Sequence, residues 1–367
     1  MKKLPHSLEK VLKYLLNKRR TLKICLYISL MVVTLIGTSA FRTKKAIYVH
    51  IPEDDDIRLN EAIPPSQWEG SSRSPQGSST RSFSEMLSSV PELSDHVLFF
   101  NRVPKAGSEM LVLLLQWMQG LNGYKHVRLA GGNTRRLTRQ QQERLVEKIT
   151  QTLHDATIPL SFDRHVYFIN FTSFGRQSPT YINLVRDPVD KAVSRFYYSR
   201  ITPSPLNPDL HNIKPPKPRH KTVQSFEECV LTSDPECSFE TGHLYDLAIP
   251  YFCGHDKSCM VLNDRWALER AKSNVERYFP VVGILEELNS TLVVLEKKLP
   301  YFFAGVQEIY FKQLLEPHKN KNRQRPRHVS EEARKKLRSC LKLEYEFYYW
   351  LRRRLLNQLS WLSTSSK

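Results

Sequence analysis

From residue 93 onward, apolar and polar positions fall into short blocks whose period switches between strand and helix. Residues 97–101 form a continuous apolar run closed by Asn101, the pattern of a buried strand. Residues 110–121 follow with apolar side chains at helical spacing, ended by Gly120 and Gly123. Thr138 opens a second helix that runs to about residue 153, with Gln141 three positions on as a capping box. His165-Val-Tyr-Phe-Ile-Asn-Phe171 is β-branched and aromatic and predicts a strand. Residues 180–185 are another apolar strand, after which Arg186-Asp-Pro188 starts a helix with proline near its first position. Helices over 266–275 and 289–299 flank a strand at 281–285. Strands alternating with helices predict an α/β fold built on a parallel sheet, with ligands at the strand C-terminal ends. A last helix over 337–356 carries Tyr345, Phe347, Tyr348, Tyr349 and Trp350. It is too aromatic for a free surface helix, so it packs on the domain or on another subunit.

The first 93 residues follow a different pattern. Residues 1–23 are basic, about +7, as a cytosolic tail would be. Residues 24–41 carry no charge and are just long enough to span a bilayer. The basic excess before this run predicts a cytosolic N-terminus and a luminal bulk, the arrangement of a type II signal-anchor; a cleaved signal peptide is the competing reading. Residues 42–93, rich in Pro, Ser and Gly, read as a flexible stem that cannot bury enough apolar surface to order itself. The globular domain is expected over 94–360. The chain has 367 residues and a net charge of +18, so the domain itself is basic and suits an anionic partner. A secretory location argues against nucleic acid and leaves an acidic polysaccharide or an anionic lipid surface.

Cysteine usage fits that compartment. Cys229, Cys237, Cys253 and Cys259 form two close pairs, and Cys229–Cys237 with Cys253–Cys259 is the simplest of three pairings. Zinc is the alternative, against spacings wider than zinc knuckles. Cys340 is left over, buried or free. Asn170-Phe-Thr and Asn289-Ser-Thr are glycosylation acceptors.

Candidate chemistry centres on Val97-Leu-Phe-Phe-Asn-Arg-Val-Pro-Lys-Ala-Gly-Ser108, a strand, a tight loop and a helix start. A helix N-terminus, a glycine and Lys105 together suit an anion, although the loop alone also fits an ordinary turn with a surface lysine. It lacks the Gly-Lys-Ser/Thr ending of a Walker A loop. Basic stretches at 214–221 and 318–338 are either solvated surfaces or further anion contacts. No constellation of metal ligands is visible.

Taken together, three segments resemble a known family. Asn101-Arg-Val-Pro-Lys-Ala-Gly-Ser108 resembles the 5′-phosphosulfate loop of sulfotransferases. Tyr181-Ile-Asn-Leu-Val-Arg-Asp-Pro188, followed by Ser194, resembles their 3′-phosphate segment. Phe162-Asp-Arg-His-Val-Tyr-Phe-Ile-Asn-Phe171 is similar to the catalytic-base strand of the glycosaminoglycan uronyl 2-O-sulfotransferases. The likeness covers about residues 97–350 and is closer to the dermatan/chondroitin and insect Pipe branch than to the heparan sulfate branch. It implies a P-loop-like sulfotransferase fold, a Golgi location, and 3′-phosphoadenosine 5′-phosphosulfate (PAPS) as donor. The implied acceptor is the 2-hydroxyl of a uronic acid in a glycosaminoglycan or a glycoprotein glycan; a homo-oligomer, in particular a trimer, is also implied.

In those terms His165 is the base and Lys105 stabilises the leaving phosphate. Ala106, Gly107 and Ser108 hold the 5′-phosphate, Arg186 and Ser194 grip the 3′-phosphate, and Arg102 reads the acceptor carboxylate. Asp187 is expected to cap a helix. By itself His165 fits a strand histidine bonded into the core better than a base, and the resemblance reverses that preference. The departures are Glu109 and Met110 at the loop–helix junction, and Asp163 where heparan-specific relatives carry a second histidine. If Glu109 faces the phosphates, the fold serves instead as an inactive polysaccharide binder.

Overall fold

The computed structural model describes residues 92–131, 134–200, 224–314 and 329–364. The chain divides into two units, 1–48 and 49–367, and every described residue belongs to the second. The tail, the apolar run at 24–41, almost all of the stem, and the basic stretches at 214–221 and 318–328 lie outside the described residues.

Five strands form one parallel sheet: β1 (Leu93–Asn101), β2 (Lys125–Arg128), β3 (Leu160–Arg164), β4 (Ser178–Val185) and β5 (Val281–Ile284). Their spatial order is β2-β3-β1-β4-β5. Helices α1 (Ser108–Met118), α2 (Arg139–His154), α3 (Pro188–Tyr198), α4 (Phe226–Leu231), α5 (Arg265–Tyr278), α6 (Leu288–Lys298), α7 (Glu331–Cys340) and α8 (Lys342–Thr364) complete it. From β1 the chain moves to the β2 side of the sheet, and from β4 it moves to the β5 side. The strand order therefore reverses between the neighbours β1 and β4, and ligands of open parallel sheets bind at that crevice.

β4 is buried at all eight positions. Such a strand is mostly apolar on both faces, as residues 180–185 are, and its polar Asn183 is buried with its hydrogen bonds made inside the fold. Around it Phe99, Phe168, Phe171, Tyr181, Phe252, Phe279 and Phe347 pack into one core. A second cluster joins α3, α4 and α7, with the Cys229–Cys237 disulfide inside it. The Cys253–Cys259 disulfide closes a turn beside the main core, and Cys340 is free and half-buried.

Three elements depart from the sequence reading. The strand expected at 165–171 lies earlier, at Leu160–Arg164, and residues 165–170 leave the sheet. The Tyr167 N–H donates to Arg135 O (3.1 Å) and the Tyr181 hydroxyl to Ile169 O (2.8 Å), so this stretch spends its backbone groups outside the ladder. Its β-branched and aromatic residues record burial across the sheet top rather than pairing. β2 has no counterpart in the apolar pattern because only His126 and Val127 of its four residues are buried at this sheet edge. The helix expected over 337–356 is two helices broken at Leu341. Asn263 enters the break, donating to Cys340 O (2.7 Å) and accepting from Leu343 N (3.1 Å), which satisfies the freed groups. Within the basic segment, Arg334 pairs with Asp190 (2.7 Å) and Lys336 donates to Val230 O (2.8 Å), so both act as internal ties.

Gly283 on β5 has a steric reason. A Cβ there would lie 2.4 Å from Thr291 Cγ2 and 3.0 Å from Leu184 Cδ1. Thr291 cannot turn away, because its hydroxyl accepts from Ile284 N (3.0 Å) and donates to Ile284 O (3.1 Å). Gly283→Ala is expected to lower stability by about 1–3 kcal/mol through overpacking. Equilibrium urea unfolding followed by tryptophan fluorescence checks this; an unchanged midpoint would show that the strand and α6 can part without cost.

Candidate active site

The loop after β1 is built by backbone geometry. Lys105 has φ 63° and Gly107 φ 78°, both left-handed, with Ala106 buried between them. Alternation of this kind turns successive N–H groups toward one side, a ready cradle for an anion. A Cβ on Gly107 would meet Leu285 Cδ1 at 2.7 Å, so glycine is required for close approach as well as for φ. The start of α1 makes no side-chain cap hydrogen bond. Its N–H groups therefore face the space beside the loop with the helix dipole behind them.

Two buried asparagines pin this loop to the next strand. Asn183 of β4 donates to the Asn101 carbonyl (2.7 Å) and side-chain oxygen (3.0 Å), while its own Oδ1 accepts from Val103 N (3.3 Å). Asn101 in turn donates to Tyr251 O (2.6 Å). The ends of β1 and β4 are thus fixed together where Lys105 and Arg186 emerge. Neither asparagine stood out in the sequence except as part of a longer motif.

On the β4 side, Asp187 caps α3 by accepting from Asp190 N (3.0 Å), as expected, and also accepts from the Tyr345 hydroxyl (3.0 Å). Arg186 is mostly buried. Its nearest acidic partners are 3.8 Å away, at Asp190 and Glu286, and its Nε has no hydrogen-bond partner among the described residues. An orphaned guanidinium nitrogen at a strand C-terminus is the observation that fits a phosphate here. Ser194 and Tyr198 lie one turn apart on α3, and the Lys105 Nζ rests 3.5 Å from the centre of the Tyr198 ring. That contact brings the loop lysine against the helix that carries Ser194. Lys105, Ala106, Gly107, Ser108, Arg186 and Ser194 therefore flank the β1/β4 crevice together.

The other side of the loop holds the candidate base. His165 sits just past β3. Its Nδ1 is 2.9 Å from the Arg102 carbonyl and its Nε2 is 2.7 Å from Arg102 Nη2. A carbonyl can only accept, so Nδ1 carries the proton and Nε2 presents its lone pair. Desolvation and the Arg102 charge push the imidazole down to about 4, against the opposing carbonyl hydrogen bond and Glu109, with Arg135 adding to the depression. The ring is neutral near pH 7.

Arg102 is the hub of this side. Its side chain is 4% exposed and its Nη1 donates to Asp163 Oδ2 (2.7 Å), itself 1% exposed. Asp163 also accepts from His126 Nε2 (3.0 Å), whose Nδ1 accepts from the Ser161 hydroxyl (2.7 Å). Burial alone would raise the Asp163 carboxyl, but the His126 hydrogen bond and the Arg102 and Arg128 charges outweigh it and hold it at about 2. The residue that replaces a second histidine is thus the inner anion of a charge network. Glu109 faces neither the phosphate cradle nor bulk solvent alone. It accepts from Arg102 Nη2 (2.6 Å) and from Arg128 Nη2 (3.0 and 2.8 Å). Arg102, expected to read the acceptor, lies between Asp163, Glu109 and His165.

A further group lies beyond His165. Asp246 pairs with Arg135, and it accepts from Arg195 (3.4 Å) and the Tyr167 hydroxyl (3.4 Å). The buried Tyr251 hydroxyl has no hydrogen-bond partner among the described residues. Asn170, the first glycosylation acceptor, uses its side-chain oxygen on Thr172 N (3.1 Å) and Thr172 Oγ1 (2.6 Å), whereas Asn289 is exposed.

Residues 93–350 match the Sulfotransferase family. The uronyl 2-sulfotransferase of Mus musculus is 39% identical over 259 residues, which are 69% of this chain and 60% of that protein. The Drosophila melanogaster uronyl 2-sulfotransferase homolog pip is 32% identical over 291 residues, 76% of this chain and 56% of its own. Heparan sulfate 2-O-sulfotransferase 1 of Gallus gallus is 33% identical over 224 residues, 60% of each chain. The chain thus spans about 60% of the length of the uronyl relative first named.

Removing the inner anion should leave the buried Arg102 guanidinium with only the exposed Glu109 carboxylate as an anionic partner among the described residues. Asp163→Asn is expected to cost about 3–5 kcal/mol, the usual penalty for breaking one side of a buried pair. Differential scanning calorimetry checks it, and a melting temperature equal to wild type would mean that Glu109 alone neutralises Arg102.

Proposed function

The chain belongs to the sulfotransferase family, and on that footing we propose that it is a glycan uronyl 2-O-sulfotransferase. It would move a sulfuryl group from PAPS to the 2-hydroxyl of a uronic acid in an acidic polysaccharide or glycoprotein glycan. The observation that carries the reading is the orientation of His165, with Nδ1 tied to the Arg102 carbonyl and the Nε2 lone pair turned to Arg102 Nη2.

PAPS supplies the sulfuryl group when bound, leaving as adenosine 3′,5′-bisphosphate. The Ala106, Gly107 and Ser108 N–H groups and the Ser108 hydroxyl would hold its 5′-phosphate, and Arg186 and Ser194 its 3′-phosphate. Lys105 brings a full positive charge to the side of the loop where negative charge develops. It must first leave the face of Tyr198, a contact of modest worth at an exposed ring. His165 Nε2 accepts the acceptor hydroxyl proton once that hydroxyl has displaced the Arg102 N–H from the lone pair. Nδ1 keeps its own proton on the carbonyl throughout, so the ring holds its plane while its charge changes. Glu109 and Asp163, both near Arg102, keep the local charge from rising unopposed.

The same proposal sets the domain in the Golgi lumen behind a single signal-anchor over residues 24–41, and it includes assembly into a trimer. The inactive-binder reading rested on Glu109 and Met110 at the loop–helix junction; Glu109 pairs with Arg102 and Arg128, and Met110 is buried in the core.

Purified protein incubated with radiolabelled PAPS and desulfated dermatan, chondroitin and heparan chains tests the activity. Transfer to at least one chain is expected, and none to any would overturn the proposal. His165→Ala should lose about 10²–10⁴-fold in kcat, the usual contribution of a positioned base. A variant with wild-type turnover would remove His165 from that role. Because His165 is depressed to about 4, the base is unprotonated above that value and becomes protonated below it. The rate is therefore expected to stay level from neutrality to about pH 5 and to fall as the pH approaches 4. A kcat/KM profile falling instead near pH 6.5 would show an imidazole free of Arg102.

A further inference from the structure

Among the described residues, Arg102 and Arg128 meet Asp163 and Glu109 beside His165, and these two anions differ in kind. Asp163 is buried and is held by Arg102, His126 and Arg128 together. Glu109 is 62% exposed, at the end of a flexible side chain on the first turn of α1, and receives Arg102 Nη2 on one oxygen and Arg128 Nη2 on both. Its carboxylate occupies the outward side of Arg102, whose Nη2 also meets His165 Nε2 at 2.7 Å. A planar carboxylate at this position presents two oxygens to two guanidinium groups, the arrangement by which arginine recognises any carboxylate.

The geometry points to Glu109 as an internal stand-in for the carboxylate of the acceptor. A uronate carboxylate arriving at the mouth takes the same N–H groups of Arg102 and Arg128, and Glu109 swings out to solvent. The charge count around Arg102 and Arg128 is then unchanged, at two cations and two anions. With Glu109 still in place a third anion would face the same two cations and be repelled. Glu109 thereby lowers the affinity for a carboxylated acceptor and discourages that part of the site from holding an unrelated anion. The inner pair, Arg102 and Asp163, stays fixed through the exchange, so His165 keeps its support. The inference rests on the reading of the chain as a uronate-modifying enzyme, but it concerns binding and not transfer.

The test is isothermal titration of the purified full-length chain with adenosine 3′,5′-bisphosphate present. The probes are desulfated dermatan and the same polysaccharide after reduction of its carboxyl groups. Glu109→Gln keeps the shape and removes the charge; it is expected to bind the carboxylated chain about threefold to fivefold more tightly, since an exposed ion pair is worth little more than that. Affinity for the reduced chain should not change. Glu109→Asp, too short to reach both arginines, should shift in the same direction. An equal gain on both polysaccharides would assign the effect to bulk charge and overturn the inference, as would no gain or a loss. In turnover the gain should appear in KM; a fall in kcat at constant KM would instead make Glu109 a positioning residue for Arg102. Sulfuryl transfer is scored separately. Tightened carboxylate binding without any transfer would keep this inference and remove the proposed activity, and transfer with unaltered binding would do the reverse.

Discussion

The ion pair between Arg102 and Asp163 is the constraint on which the acceptor side of the structure depends. Both groups are withdrawn from water, so each carries a desolvation penalty that only close pairing offsets. His126, Ser161 and Arg128 complete the pairing, and the strand C-termini of β1 and β3 are thereby held in one register. The backbone carbonyl that fixes the proton on His165 belongs to Arg102 itself. One residue thus sets the ring's tautomer through its backbone and lowers its basicity through its side chain. A sheet terminus closed by apolar contacts alone would leave the imidazole free to turn.

The donor side is organised differently, by backbone shape and by neutral hydrogen bonds. The Asn101–Asn183 clasp joins adjacent strand ends without adding a net charge of its own to the crevice that Lys105, Arg186 and the start of α1 border. The two halves meet across a single loop of six residues, 102–107. The charge network lies on its β3 side and the anion cradle on its β4 side. This separation explains how a negative residue can follow directly after Ser108. Glu109 belongs to the first turn of α1, but its side chain reaches Arg102, just past the end of β1, and Arg128 of β2.

The outer parts of the domain serve this centre by restraint. Tyr345 and Tyr348 of α8 hold Asp187 and Glu286, at the ends of β4 and β5, through their hydroxyls. Arg334 of α7 reaches Asp190 in the first turn of α3. Two aromatic residues of the last helix are thus spent on the same strand ends that carry Arg186, while Tyr349 and Trp361 stay exposed.

Much of this architecture was legible in the sequence. The mainly apolar runs marked β1 and β4, because a strand covered on both faces admits polar residues only where, like Asn101 and Asn183, they bond one another. Thr138 with Gln141, and Asp187 with Pro188, marked helix starts through chemistry that is local to a few residues. Cysteine spacing marked both disulfides. The cradle residues Lys105, Gly107 and Arg186 could be named from their motifs, because an anion site built on strand ends and a helix start needs those residue types. What the sequence could not give was the partner of each charge. Asp163 looked like a lost histidine and Glu109 like an intruder among phosphates, and nothing tied Arg102 to either. Only the tertiary structure joined them, since they meet across strands 61 residues apart in the chain and electrostatic pairing carries no period or spacing. The misplaced strand at 165–171 has the same origin: composition records that a segment is buried, and only the fold decides what buries it.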